Sequence, residues 1–313
     1  VTFFVLAIVL ISAFLHAGWN LLARSQRSEA QFFDRMLIAV AVIGLVPAAF
    51  SEWQARSLGW RAWACAAGSG IFCAFYYLFL AKGYASSEFT LVYPVARAIP
   101  VILVGLGDAA LGRSPTAWGW AGILLVGVGC FLVPLRSLRD FALARYLNRT
   151  SLWMLLAALG TVGYTLLDKA AAEIVPPGPA TAARYGYAFY LASCIAYAAL
   201  FRVSRAVARV ERSMTEQRNH SRCLFSRQPF TRDAIGWWRP IWAGGLNFGA
   251  YWLVLWAYQL SERASYLVAF RQFSIVIGVI LAFCLYRERG WAIRLLATWL
   301  ITIGLLVIGI GGH

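Results

Sequence analysis

Gly18-Trp19-Asn20-Leu21-Leu22-Ala23-Arg24 recurs 145 residues later as Gly163-Tyr164-Thr165-Leu166-Leu167-Asp168-Lys169. Farther along, Tyr77, Tyr84, Ser87, Glu88 and Arg97 match Tyr251, Tyr258, Ser261, Glu262 and Arg271 without a gap, now at an offset of 174. The last helices align at 175, pairing Gly129 with Gly304. Self-similarity at this scale means the chain is built twice. Residues 1–135 form a first repeat, 136–150 a linker and 151–313 a second repeat. The change of offset means about 29 extra residues entered the second copy, and the stretch 202–239, which holds nine arginines, is where they fit.

Each repeat is mostly lipid-soluble. Of 313 residues, 61% are hydrophobic and 13% charged, with a mean hydropathy of +0.68. Soluble domains carry about 25% charged residues, so a soluble enzyme, a disordered chain and a disulfide scaffold are excluded. Apolar runs able to cross ~30 Å of hydrocarbon fall at 3–23, 33–50, 62–84, 89–111, 116–135, 151–172, 182–201, 240–260, 264–286 and 292–311. They are continuous rather than alternating, which selects helices over a barrel. The first reads as a retained span, since it has no basic n-region and contains His16 and Asn20. The fold expected is an all-α membrane protein of ten transmembrane helices. With five spans per repeat, the second repeat must insert upside down, and inverted repeats mark secondary transporters.

The net charge of +15 is nearly all arginine and lies between the spans. That placement is an orientation signal rather than a nucleic-acid footprint. Leaving aside Arg97 and Arg271, connections after odd-numbered spans hold 20 basic residues and those after even-numbered spans hold 6. The arginine-rich side is therefore expected in the cytoplasm, with both termini outside. The six cysteines are scattered without metal or disulfide spacing. No Gly-x-Ser-x-Gly or His-Glu-x-x-His pattern occurs, so no enzyme, metal or cofactor is expected.

Charge inside the membrane costs about 2.5–3.5 kcal/mol on insertion scales, so the residues that incur it are candidate ligands. Arg97 and Arg271 occupy equivalent positions of the two repeats and could grip a carboxylate, phosphonate or phosphate bidentately. Each could instead pair with a carboxylate such as Asp108, or cap carbonyls where Pro94 and Pro100 break the fourth span. Ser12, His16 and Asn20 form one polar stripe, in which His16 could bind substrate, carry a proton or simply hydrogen-bond a neighbour. Tyr77, Asn247 and Tyr251 are cavity candidates, with Gln272 and Ser274 beside Arg271. Tyr84 and Tyr258 read as interfacial anchors, Glu88 and Glu262 as acids at helix starts, and Asp168-Lys169 as an interfacial charged pair.

Leu15-His16-Ala17-Gly18-Trp19-Asn20, Leu91-Val92-Tyr93-Pro94-Val95-Ala96-Arg97, Leu111-Gly112-Arg113-Ser114 and Arg287-Glu288-Arg289 together resemble the EamA-type members of the drug/metabolite transporter superfamily. The last two are incomplete copies of that family's Gly-Glu-Arg turn. The resemblance implies alternating access around a cavity built from helices 1–4 and 6–9, with helices 5 and 10 peripheral. It adds Tyr93 to the candidate substrate contacts. It further implies a small-molecule substrate, a multi-pass place in a bacterial inner membrane, proton or counter-substrate coupling, and a monomer or homodimer. Many relatives keep both termini inside, against the charge count. The first span has no Asp or Glu, so the carboxylate-based cation exchange of small multidrug relatives is not expected. The substrate class expected is anionic or zwitterionic, with export of cationic or neutral compounds, or a membrane enzyme, as the alternatives.

Overall fold

In lipid every backbone N–H and C=O must find its partner within the chain, which makes helices the outcome for continuous apolar runs. The structure is a computed structural model describing residues 2–24, 29–84, 89–133, 135, 149–219, 236–286 and 291–312. Among the described residues every regular element is helical. The first half supplies α1 (Phe3–Arg24), α2 (Glu29–Ala55), α3 (Trp60–Tyr84), α4 (Phe89–Ala110) and α5 (Ala117–Leu132). The second supplies α6 (Arg149–Ile174), α7 (Pro179–Asn219), α8 (Trp238–Leu260), α9 (Ala264–Arg271), α10 (Phe273–Tyr286) and α11 (Trp291–Gly311). Of these, α1, α2, α3, α6, α7 and α11 are each long and apolar enough to cross a membrane on their own.

The halves interlock around a pseudo-two-fold axis. The first helix of each half packs along the third of the other: α1 lies on α8 as α6 lies on α3. In the same way α3 packs on α7 and α8 on α2, while α2–α7 and α5–α11 pair across the axis. The α5–α11 crossing depends on glycine. A Cβ at Gly122 would stand 2.6 Å from the Gly304 carbonyl oxygen, and one at Gly129 2.8 Å from that of Ala297. Small residues let helix backbones meet this closely, and the pair sits apart from α1, α2, α3 and α6 to α8, as a peripheral element should.

Three features depart from the sequence reading. First, the helix expected over 182–201 runs on to Asn219, well into the stretch that the sequence reads as a loop. Hydropathy marks where lipid ends, not where helix ends, and Arg, Ala, Glu, Met and Gln without Gly or Pro propagate a helix well. Second, α4 is one helix through Pro94 and Pro100. Third, the break falls in its proline-free mate, where Gln272 separates α9 from α10. At that turn the Gln272 N–H reaches back only three residues to the Ala269 carbonyl (2.9 Å). The Val268 carbonyl, which an unbroken ladder would have used, accepts from the Gln272 side-chain Nε2 at 3.2 Å instead. A side-chain amide thus satisfies the backbone group that the break releases.

Candidate functional site

Where the halves meet they form a cavity of about 40 Å³. α1 contributes His16, α3 Tyr76 and Leu80, α4 Pro100, α6 Ala157, Thr161 and Tyr164, and α9 Val268 and Arg271, with Gln272 at the break. His16 and Thr161 are repeat mates, so the cavity sits on the pseudo-two-fold axis. Pockets that hold metabolites are about 300–1,000 Å³, so the cavity as it stands is smaller than such a pocket.

Polar contacts bridge the helices on either side of the cavity. On the side of the chain termini, Arg113 pairs with Glu173, and Lys169 reaches Glu173 at 3.0 Å and the Tyr258 carbonyl at 3.2 Å. These contacts tie α4, α6 and α8 beneath an open vestibule of about 410 Å³ that also includes Glu262 and Arg263. On the arginine-rich side, Lys82 lies 4.5 Å from the Trp153 ring and Arg35 5.1 Å from the Trp237 ring. Cation–π contacts of this kind join α3 to α6 and α2 to the start of α8.

The candidate ligands divide under this geometry. Arg271, His16 and Gln272 face the cavity. Arg271 ends α9 at the break and holds its guanidinium 5.4 Å from the Tyr251 ring centroid. His16 Nδ1 accepts the Trp19 indole N–H at 3.0 Å, which leaves the ring proton of the neutral form on Nε2. Asn20 Nδ2 donates to the His16 carbonyl at 2.7 Å and is not part of the cavity wall. Tyr77, Asn247 and Tyr251 lie outside that wall too. Asn247 Nδ2 donates to the Tyr77 hydroxyl at 2.8 Å, a buried bond joining α8 to α3. Arg97 and Tyr93 lie outside the described side chains, as do Tyr84 and Glu88.

Asp168 is the residue whose sequence reading changes most. It is not interfacial: its exposure is 0%, and three hydroxyls surround it. Ser69 from α3 donates to Oδ1 at 2.5 Å and Tyr185 from α7 to the same oxygen at 2.7 Å. Tyr251 from α8 donates to Oδ2. A signal for this was present, since Thr161, Thr165 and Asp168 share one face of α6 at helical spacing. Three other readings are corrected with it. Lys169 is buried and pairs with Glu173 instead of lying at an interface. Tyr258 is fully buried, not an interfacial anchor. Glu262 is exposed, and the start of α9 is capped by Asp108, whose Oδ2 accepts the Ser265 N–H at 2.8 Å. A carboxylate at that position also opposes the positive end of the helix dipole. Asp108 is thereby committed to α9 and to Arg113, 3.9 Å away. Sequence reasoning also missed Tyr76 as a wall residue, because its repeat mate is Ala250.

Comparison with known proteins is consistent with this architecture. Residues 3–135 match the model of the EamA-like transporter family. No curated protein matches the chain. Among 26 solved chains that match, one crystal structure is 15% identical with a TM-score of 0.65, covering 98% of this chain and 97% of the other. At that identity the likeness speaks for the fold alone.

Proposed function

From the match of residues 3–135 to the EamA-like transporter family of the drug/metabolite transporter superfamily, we propose that the protein is a secondary transporter for a small anionic or zwitterionic metabolite. The observation that carries this reading is Arg271, a cation at a helix break on the wall of a cavity on the pseudo-two-fold axis. Broken helices at the repeat interface are where secondary transporters hold their substrates. A guanidinium there favours a carboxylate, phosphonate or phosphate, since it offers paired donors in a fixed plane. His16 and Gln272 offer further polar contacts, and Arg97 is proposed as the second cation, from the equivalent position of the other repeat. Asn20 is committed to the His16 backbone carbonyl, and Tyr93 remains a proposed contact. Tyr77, Asn247 and Tyr251 support the walls from behind. Alternating access then consists of parting one set of bridging contacts while the other holds.

A thermal-shift screen of amino acids, organic acids and phosphonates on purified protein, followed by uptake into proteoliposomes, tests the proposal. Anionic members should raise the melting temperature, and Arg271→Gln should weaken their binding by about 10- to 150-fold. That range corresponds to losing one charge-assisted hydrogen-bonded contact of about 1.5–3 kcal/mol. Stabilisation by cationic or neutral compounds alone, undiminished in Arg271→Gln, would sink the anion reading in favour of drug-like export.

A further inference from the structure

We propose that Asp168 is a proton-binding site, and that an anion arriving at Arg271 drives it to take up one proton. The inference rests on the reading of Arg271 as the anion contact and goes beyond it by naming the coupling ion and its carrier.

The geometry supplies the coupling. Asp168 lies inside the helix packing with no exposed surface, where an ionised carboxylate is held only by hydrogen bonds and countercharge. Its hydrogen bonds come from Ser69, Tyr185 and Tyr251. Its countercharge among the described residues is Arg271, which lies over the ring of Tyr251 and acts on the carboxylate through space. One tyrosine thus stands between the two charges, giving its hydroxyl to one and its ring to the other. Arg271 faces the cavity and Asp168 does not.

An anion bound to Arg271 cancels the charge that balances Asp168. The carboxylate then lowers its energy by accepting a proton from water. One carboxyl oxygen gains an O–H bond and becomes a donor, so one of the three surrounding hydroxyls must turn to accept it. When the anion leaves, the Arg271 charge again balances the carboxylate and the proton returns to water. Anion and proton therefore occupy the protein together and vacate it together, which is the stoichiometry of co-transport.

The surroundings isolate this pair. On α6, Lys169 turns to Glu173 and the Tyr258 carbonyl, and Tyr164 packs edge-on against Tyr251 at 5.7 Å. α3 presents Cys65, Ser69 and Cys73 toward Asp168, α7 Tyr185 and Tyr190, and α8 Tyr251 and Tyr258. From α4, Asp108 is occupied by Ser265 and Arg113. In the cavity wall, His16 keeps Nδ1 engaged by Trp19. The route to water runs along α6, since the vestibule begins at Lys169, the next residue.

The test is isothermal titration of purified protein with succinate and with methylphosphonate, repeated in two buffers of different ionisation enthalpy to count protons per anion bound. The wild type should take up about one proton per anion, so binding should strengthen as pH falls, by up to about tenfold per unit. Asp168→Asn should bind succinate, which is fully ionised near neutral pH, without uptake and with a flat pH profile. Uptake that survives in Asp168→Asn, or wild-type binding without uptake, overturns the proposal and leaves the anion site standing. Failure of both probes to bind the wild type refutes the anion site, and this inference with it. Should Asp168→Asn not fold, infrared difference spectra of the wild type decide: methylphosphonate must raise the C=O stretch of a protonated carboxyl, and a spectrum without it overturns the proposal.

Discussion

Gly304→Ala should loosen the α5–α11 crossing by an amount the coordinates set. A Cβ at Gly304 would stand 2.8 Å from the Gly122 carbonyl oxygen and 2.9 Å from the Val126 nitrogen, where ordinary contacts run 3.4–4 Å. Both atoms are backbone of the facing helix, so no rotamer change relieves the clash. The helices must separate by roughly half an ångström along the contact, giving up dispersion on either side. Overpacking of this kind costs about 1–3 kcal/mol, roughly a 5- to 150-fold fall in the folded-to-unfolded ratio. Gly245→Ala is the control, because a Cβ there meets nothing within 4 Å. It should leave stability unchanged or raise it by up to about 1 kcal/mol through helix propensity. Thermal unfolding in detergent, followed by circular dichroism, reads both. Equal stability of Gly304→Ala and wild type, or equal losses in the two variants, would refute the reasoning that α5 and α11 meet through glycine.

Further outcomes follow from the polar contacts. Asp108→Ala removes the cap on α9 and should cost about 0.5–2 kcal/mol in the same unfolding assay, with Asp108→Asn less damaging. Tyr251→Phe keeps the ring beneath Arg271 but takes a donor from buried Asp168; it should destabilise by about 1–3 kcal/mol, read by the same melt, while anion binding persists in titration. A double-mutant cycle of Tyr77→Phe and Asn247→Ala should give a coupling energy of about 0.5–1.5 kcal/mol in unfolding experiments. For orientation, cysteines placed at positions 1 and 220 in a background without the native six should react oppositely with an impermeant thiol reagent on intact cells. Labelling at position 1 and protection at 220 are expected from the charge bias.

Most of the fold was legible because span length and repeat offset are strong, local signals. The helix ends differ from the apolar boundaries by a few residues except in α7, where nothing apolar marks the continuation past 201. The break was expected at the wrong repeat. Prolines advertise kinks, yet α4 tolerates Pro94 and Pro100, whereas α9 ends at a glutamine whose amide takes the Val268 carbonyl. That preference is a tertiary and side-chain effect with no composition signature, since the mate of Gln272 is Ala98, which has no amide to offer. Of the site, Arg271, His16 and Gln272 were visible as polar groups in apolar spans. Asp168 was visible too, but its position near a span end suggested water. The three hydroxyls that bury it come from α3, α7 and α8, and no single stretch of sequence announces them.

The repeats agree in packing and disagree in chemistry, and the disagreement falls on one axis. Helix contacts obey the pseudo-two-fold rule throughout, so the backbone alone gives no reason for the two ends to behave differently. The mated side chains do: His16 stands opposite Thr161, Ala23 opposite Asp168, and Ala98 opposite Gln272. The second repeat therefore holds the broken helix and Asp168, while the first holds the imidazole, the buried Asp108 and both prolines of α4. An inverted pair with identical side chains would make its two access states mirror equivalents of equal energy. Unequal polar groups at mated positions remove that degeneracy, because the same charge meets different partners when either end opens. Under the proposed alternating access, substitutions at Asp168, Tyr251 and Gln272 should accordingly bias which end opens, whereas Ala23 and Ala98, the mates of Asp168 and Gln272, contribute packing alone.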